Sequence, residues 1–560
     1  MAHDLLIENA SVVDGTGRPA FRGDVAVEAG RIVAIGTGLG TARERFDAAG
    51  RVLAPGIVDT HTHYDAQITW DARVTPSPAL GVTTVVMGNC GFTIAPCRPA
   101  DRDRVMRNLT HVEGMSLAAL EQGIRWEFET FPEYLDFLER RGVGTNVAAF
   151  VGHSSVRTWV LGDEASARAA TAEEVERMRT IVVEAMRAGA VGFSTTTSGQ
   201  HNGEGGVPMP SRLADEAEFR ALTGALRDVG RGALMITKGL DTAVPWLESL
   251  AAGAGRPFII AALLHSNVTP EAVFEDLSDI AAARARGHRL YGAVSPCPLT
   301  FEFTMHSPYV FEGLAAWRPA MEAGDGPEFR ALLSSTRLRD AVKAEVERPG
   351  RRMFNGEWHL MKVLRVRDPV RAHLEGRTVE ECARAAGAHP LDCMFDLALA
   401  EDLDTLFVGT LLNSDEEAVG RMLSDPGALI SLSDAGAHLE FFCDAGFGLH
   451  VLGHWVRERG LMSLERAVRR LTGEAADAFG IRDRGRIAPG AWADLLLFDP
   501  ETVGRGPAVR SFDLPSGASR LVTPATGVEG VWVNGVRVAD ADGALADAPL
   551  AGRLLREFDA

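Results

Sequence analysis

"TAEEVERMRTIVVEAMRAGAVGFSTTT", Thr171 to Thr197, reads as one helix followed at once by one strand. Thr171 and Glu174 have capping-box spacing, in which each side chain satisfies a backbone N–H beside the other. Val175, Met178, Val182, Ala185 and Met186 form an apolar stripe at helical spacing, and Gly189 supplies the stop. The run "AVGFSTTT" is apolar and then ends in hydroxyls. "GVTTVVMGN" (Gly81 to Asn89), "RPFIIAALLHS" (Arg256 to Ser266) and "GALISLSDAG" (Gly427 to Gly436) repeat that form. Near-continuous apolar runs belong to parallel strands buried on both faces. Their alternation with helices predicts an α/β fold, a (β/α)8 TIM-like barrel of about 250 residues or more.

The two ends of the chain read differently. "DLLIENASVVDGTG" and "GDVAVEAGRIVAIG" near the start are β-branched runs broken by Gly, Asn and Asp. "GAWADLLLFDP" (Gly490 to Pro500) and "GVEGVWVNGVRVAD" (Gly527 to Asp540) match them near the end, the latter with an Asn534-Gly535 hairpin signal. Residues 1–54 and 485–560 are therefore expected to build one small composite β-sandwich domain, with the barrel over 55–484. A segment at about 297–380, rich in Phe, Trp, Arg and Pro, interrupts the rhythm and is expected to be an insertion covering the site.

The net charge of −19 argues against a nucleic-acid backbone as partner and favours solubility. No run approaches the roughly 20 apolar residues of a spanning helix. "MAHDLLIENA" lacks a basic region followed by an apolar one, so no secretory signal and no membrane partner are expected. Six cysteines are too sparse for a disulfide scaffold; reduced thiols and a cytoplasmic location are the expectation.

In barrels of this kind, chemistry collects where strands end. "GIVDTHTHYD" (Gly56 to Asp65) ends such a strand and carries His61 and His63 two residues apart, on one face. Imidazole is a ready zinc ligand, and a catalytic zinc keeps three protein ligands and one open position. Such a pair also occurs as a mutually satisfied core pair. "TTVVMGNCGF" delivers Cys90, either a thiolate ligand or a small buried hydrophobe. "FIIAALLHS" delivers His265, and "LISLSDAGAH" delivers Asp434 with His438 beyond it. A buried Asp needs a partner, a metal or a helix to cap. "AAFVGHSS" delivers His153, which suits catalysis or a structural hydrogen bond.

Taken together, "VLAPGIVDTHTHYDAQITWD", "PSPALGVTTVVMGNCGFTIAPCRP", "VGHSSVR", "RAGAVGFSTTTSG", "LSDAGAH" and "DRGRIAPGAWADLLLFDP" resemble the metal-dependent amidohydrolase superfamily. Within it, "GVTTVVMGNCG" resembles the N-acyl-D-amino-acid deacylase, or D-aminoacylase-like, branch. The resemblance implies one or two Zn²⁺ ions, other divalent metals being admissible, a small N-acyl amino acid or related amide as substrate, and a homo-oligomer. It implies His61, His63, Cys90 and His265 as metal ligands, and Asp434 as proton shuttle and metal ligand. Beside the resemblance, His153 is a candidate carbonyl-polarising donor, Arg157 and Arg212 are weaker candidates to pair a substrate carboxylate, and His201 and His438 are weaker substrate contacts.

One position departs from the pattern. Where the family usually carries Thr-His, "ALMITKG" puts Lys238. A protonated lysine only donates and repels a cation. Lys238 has replaced a ligand, or is carboxylated and bridges metals, or contacts substrate away from them. The implied chemistry is attack of metal-activated water on an amide, with Asp434 moving the proton. The alternatives are a cyclic amide hydrolase or deaminase on the same barrel, and a metal-depleted scaffold.

Overall fold

A computed structural model describes residues 2–348, 352, 354–436 and 444–559. Its centre is a single curled sheet of eight parallel strands in sequential order. These are β1 (Ile57–Thr62), β2 (Val82–Met87), β3 (Asn146–Gly152), β4 (Gly192–Thr196), β5 (Ala233–Thr237), β6 (Phe258–Leu263), β7 (Leu290–Val294) and β8 (Ala428–Ile430). The first and last strands close the ring: Thr60 Oγ1 and Ser431 Oγ lie 2.7 Å apart, and Thr62 bridges Ala435 in parallel sense. Every residue of β1 and β2 is buried, as their uninterrupted apolar runs require.

The helix that leads into β4 forms as its sequence dictates. It spans Ala172–Ala188, Thr171 and Glu174 complete the capping box, and Met178, Val182, Ala185 and Met186 are buried against the barrel. Gly189 ends it at φ 121°, a backbone conformation that costs glycine little.

Strands from both termini share one mixed sheet of nine. Its seam is Val52–Pro55, which runs parallel to His3–Val12 on one side and antiparallel to Leu495–Phe498 on the other. Leu5, Ile7, Leu53, Leu495, Leu497 and Trp532 form its core. The hairpin turns at Asn534 (φ 48°) and Gly535 (φ 79°), the left-handed pair that such a two-residue turn needs.

The insertion is larger than the sequence suggests. Leu299–Phe303 and Met361–Arg365 both pair with Leu406–Leu412, and a separate apolar core runs from Leu299 to Leu411. The returning strand lies so far along the chain that local composition does not mark it.

A buried polar knot joins the terminal sheet to the barrel at the N-terminal end of β3. Asp494 pairs with Arg484 and accepts from Asn146 Nδ2 at 3.1 Å and from the Asn534 backbone N–H at 2.8 Å. Asn534 Nδ2 in turn donates to Asn146 Oδ1 at 2.9 Å. Removing one partner strands the others in a low-dielectric interior. Asp494→Ala is expected to cost about 3–5 kcal/mol of stability in urea unfolding; a loss below about 1 kcal/mol, the worth of an exposed pair, would show that the knot does not join the two units.

Candidate metal centre

At the opposite end, β1 ends in His61 and His63, and the turn after β2 brings Cys90 against them. Their ligand atoms all lie within 4.8 Å of one another, and all three side chains are buried. Cys90 Sγ is 3.6 Å from His61 Nε2 and 3.8 Å from His63 Nε2. Asp434, from the segment after β8, places Oδ1 at 3.2 Å from His61 Nε2 and 3.6 Å from His63 Nε2. Both imidazoles thus turn the same nitrogen to one point, as their shared face requires.

Two of these residues sit on left-handed backbone, Cys90 at φ 58° and Asp434 at φ 49°. Such φ values are uncommon outside glycine and gather at functional sites. Gly436 shows how tight the approach is. At φ 89°, a Cβ there would lie 2.7 Å from the carbonyl carbon of His63.

Buried acidic groups crowd the cluster. Burial pushes Asp59 and Asp65 up to about 7 and Glu113 up to about 8. Burial also pushes the Cys90 thiol up, with His63 pulling the other way. Burial works against a charged His63, yet Glu113, Cys90 and Asp434 together hold it well above the usual imidazole range. An N₂S donor set beside a carboxylate fits zinc, and a dication among these groups would relieve their shared burden.

Above the cluster opens a cavity of 610 Å³. Leu299, Phe301 and Tyr309 of the insertion and Pro507, Ala508 and Leu521 of the C-terminal segment form part of its wall.

The sequence pattern of the amidohydrolase family matches residues 44–539. The chain belongs to the amidohydrolase family. It is 30% identical over 539 residues to D-aminoacylase of Alcaligenes xylosoxydans xylosoxydans, covering 96% of this chain and 94% of that one. It is 29% identical over 566 residues to N-acyl-D-aspartate deacylase of the same organism, covering 100% and 96%. Among solved structures, N-acyl-D-glutamate deacylase of Bordetella bronchiseptica, complexed with zinc and a phosphonate inhibitor, matches with a TM-score of 0.69 and 27% identity over 100% of both chains. A D-aminoacylase structure matches with a TM-score of 0.68 and 26% identity, covering 99% of this chain and 100% of that one.

Within this amidohydrolase frame, several expectations need correction. His265 does not join the cluster. Its neighbours Leu264 and Ser266 line the cavity while His265 does not, and its ring lies 6.3 Å from Phe274. Past the end of β6 strict alternation is lost: Ala262, Leu263 and Leu264 line the cavity in succession, and His265 does not. His153 is also turned away. It is fully buried, with Nδ1 2.8 Å from Thr195 Oγ1 and Nε2 2.8 Å from Glu218 Oε1, and it does not line the cavity. Arg157 is equally buried, paired with the same Glu218 and donating to the Arg168 carbonyl at 2.8 Å. Arg212 donates to the His201 carbonyl at 3.1 Å and to Asn202, outside the cavity wall. His201 does reach the wall, its Nδ1 2.7 Å from Thr196 Oγ1. His438 lies outside the described residues.

Lys238 lines the cavity as an ammonium already engaged. Its Nζ lies 3.1 Å from Asp276 and donates to the Thr242 carbonyl at 3.3 Å.

Three residues near the cluster escaped sequence reading. Asp65 accepts from the Gly88 N–H at 2.9 Å, Thr237 Oγ1 lies 3.0 Å from Cys90 Sγ, and Glu113 sits 3.2 Å from His63 Nδ1. Asp65 and Thr237 were visible at strand ends; Glu113 had no such marker.

If Arg157 serves structure alone, Arg157→Ala should lower stability by about 3–5 kcal/mol in urea unfolding, since it leaves Glu218 buried without its guanidinium. KM of the folded variant should match that of the parent. A raised KM with unchanged stability would return Arg157 to the substrate.

Proposed function

We propose that this chain hydrolyses the amide bond of an N-acyl amino acid, of the N-acyl-D-amino-acid class, at a zinc site held by His61, His63, Cys90 and Asp434. The observation that carries the reading is the buried His61–His63–Cys90 group with Asp434 beside it, all four lining one cavity. The activities in the names of the full-length relatives support the substrate class.

Zinc bound there would supply a Lewis acid and a water acidic enough to act as hydroxide near neutral pH. The chain's own residues do the rest. His61 and His63 offer Nε2 lone pairs, and Cys90 adds negative charge. Asp434 has a side chain 15% exposed, against 3% and 5% for the two histidines, so it alone of the four opens appreciably to the cavity. Its carboxylate is placed to take the proton of the attacking water and hand it to the leaving nitrogen. The apolar wall from the insertion shelters the acyl group and excludes bulk water.

We infer one metal per chain, a reading supported by what stands at the neighbouring strand ends. The next strand ends turn Lys238 and Leu264 to the cavity. Leu264 has no donor, and Lys238 is held by Asp276. A second cation beside the first would lack two ligands.

Asp434→Asn should cut kcat by about 10²–10⁴-fold, the usual worth of a general base, on N-acyl-D-amino acids, while elemental analysis still finds bound zinc. Normal turnover would remove the shuttle role. Hydrolysis of cyclic amides in preference to N-acyl-D-amino acids would overturn the substrate class.

Elemental analysis of the parent protein should give one zinc per chain, and Lys238→His combined with Leu264→His should raise it above one. Two tightly held metals in the parent would refute the single-metal assignment.

A further inference from the structure

The Arg102–Val112 helix ends at a residue that has no local reason to be acidic. Glu113 caps it with its backbone N–H on the Leu109 carbonyl, and its side chain is 2% exposed. A carboxylate at a helix C-terminus faces the negative end of the helix dipole. Burial adds a desolvation cost that is large unless a partner meets the charge. Both effects disfavour an acid there.

His63 meets it. Glu113 Oε1 lies 3.2 Å from His63 Nδ1, while His63 Nε2 faces Asp434 at 3.6 Å and Cys90 at 3.8 Å. Glu113 and the donor group therefore stand on opposite edges of one ring. A neutral imidazole carries one N–H and one lone pair. A carboxylate at Nδ1 draws the N–H to that side and leaves the lone pair on Nε2, where the donor group converges. The same helix turn is anchored a second time, since His111 Nε2 lies 3.4 Å from Glu312 Oε2 of the insertion.

We infer that Glu113 is a positioning residue for the metal site, accepting the His63 Nδ1–H and so fixing the tautomer and ring angle that aim Nε2 at His61, Cys90 and Asp434. The inference rests on the metal site proposed above. It adds a residue on the edge of the ring away from the donor group. Hydrogen-bond partners of this kind are worth about 10–100-fold in metal affinity.

The test measures zinc affinity of the full chain by chelator competition, without substrate. Glu113→Ala is expected to bind zinc about 10–100-fold more weakly than the parent. Glu113→Gln should recover most of the loss, because its amide oxygen still accepts from Nδ1–H. In a His63→Ala background, Glu113→Ala should add no further loss, since Glu113 acts through that ring. Unchanged affinity in Glu113→Ala overturns the inference and leaves the metal site standing. So does an equal loss in Glu113→Gln and Glu113→Ala, which would mark charge or direct ligation as the cause. A loss that persists in the His63→Ala background also overturns it. A parent protein that takes up no zinc overturns both this inference and the site it rests on.

Discussion

Closure of the barrel between its first and last strands is the interaction on which the site depends. The His63 N–H donates to the Ala435 carbonyl at 2.7 Å, and the Asp434 N–H donates to the His61 carbonyl at 3.2 Å. Two hydrogen bonds thus fix the carboxylate of one end of the barrel against the imidazoles of the other. The ligand geometry is a backbone property before it is a side-chain one. Left-handed backbone at Cys90 and Asp434 aims both side chains inward, and Gly436 lets the closing segment press against His63. Strain of this sort persists only where surrounding structure over-determines it, and ladder hydrogen bonds on both sides provide that.

The molecule uses the same residue types in two opposite ways. The His153–Glu218–Arg157 group and the Asp494–Arg484–Asn146–Asn534 knot saturate their polar atoms within the protein. Their charges balance pairwise, and they stabilise. The groups around His63 do not balance. Asp59, Asp65, Glu113, Cys90 and Asp434 crowd acidity into a space shared with two imidazoles. The difference between a structural cluster and a reactive one here is whether the charge closes without a visitor.

The barrel was legible because eight buried parallel strands leave apolar runs that end abruptly, and because capping chemistry marks helices such as Ala172–Ala188. The terminal sheet was legible from alternation and the Asn534-Gly535 turn. His61 and His63 could be read as sharing a face because strand parity fixes relative direction. Parity carries one residue past β1, to His63, but not two residues past β6, and there the sequence misled. His265 follows Leu264 beyond the end of β6, and a shift of one residue exchanges inside for outside. His153 opens a helix, so its direction is set by the helix and not by β3. The insertion's far boundary was hidden because its third strand pairs across a long stretch of chain. Glu113 was hidden for the same reason at the level of one side chain. Nothing near it in sequence shows that a histidine some fifty residues earlier turns to meet it.

The seam strand Val52–Pro55 has a consequence for how the molecule comes into being. It lies between His3–Val12 and Leu495–Phe498. Chains are made from the N-terminus, at about 5–20 residues per second. Leu53 and its neighbours therefore emerge early, while the strand that covers one edge of them emerges about 20–90 seconds later at that pace. During that interval an apolar strand edge stands open, a template for pairing with any other extended chain. The barrel can assemble its wall in order as it is synthesised, each strand beside the one before. Its support cannot, and the nascent chain must be shielded until its last tenth arrives.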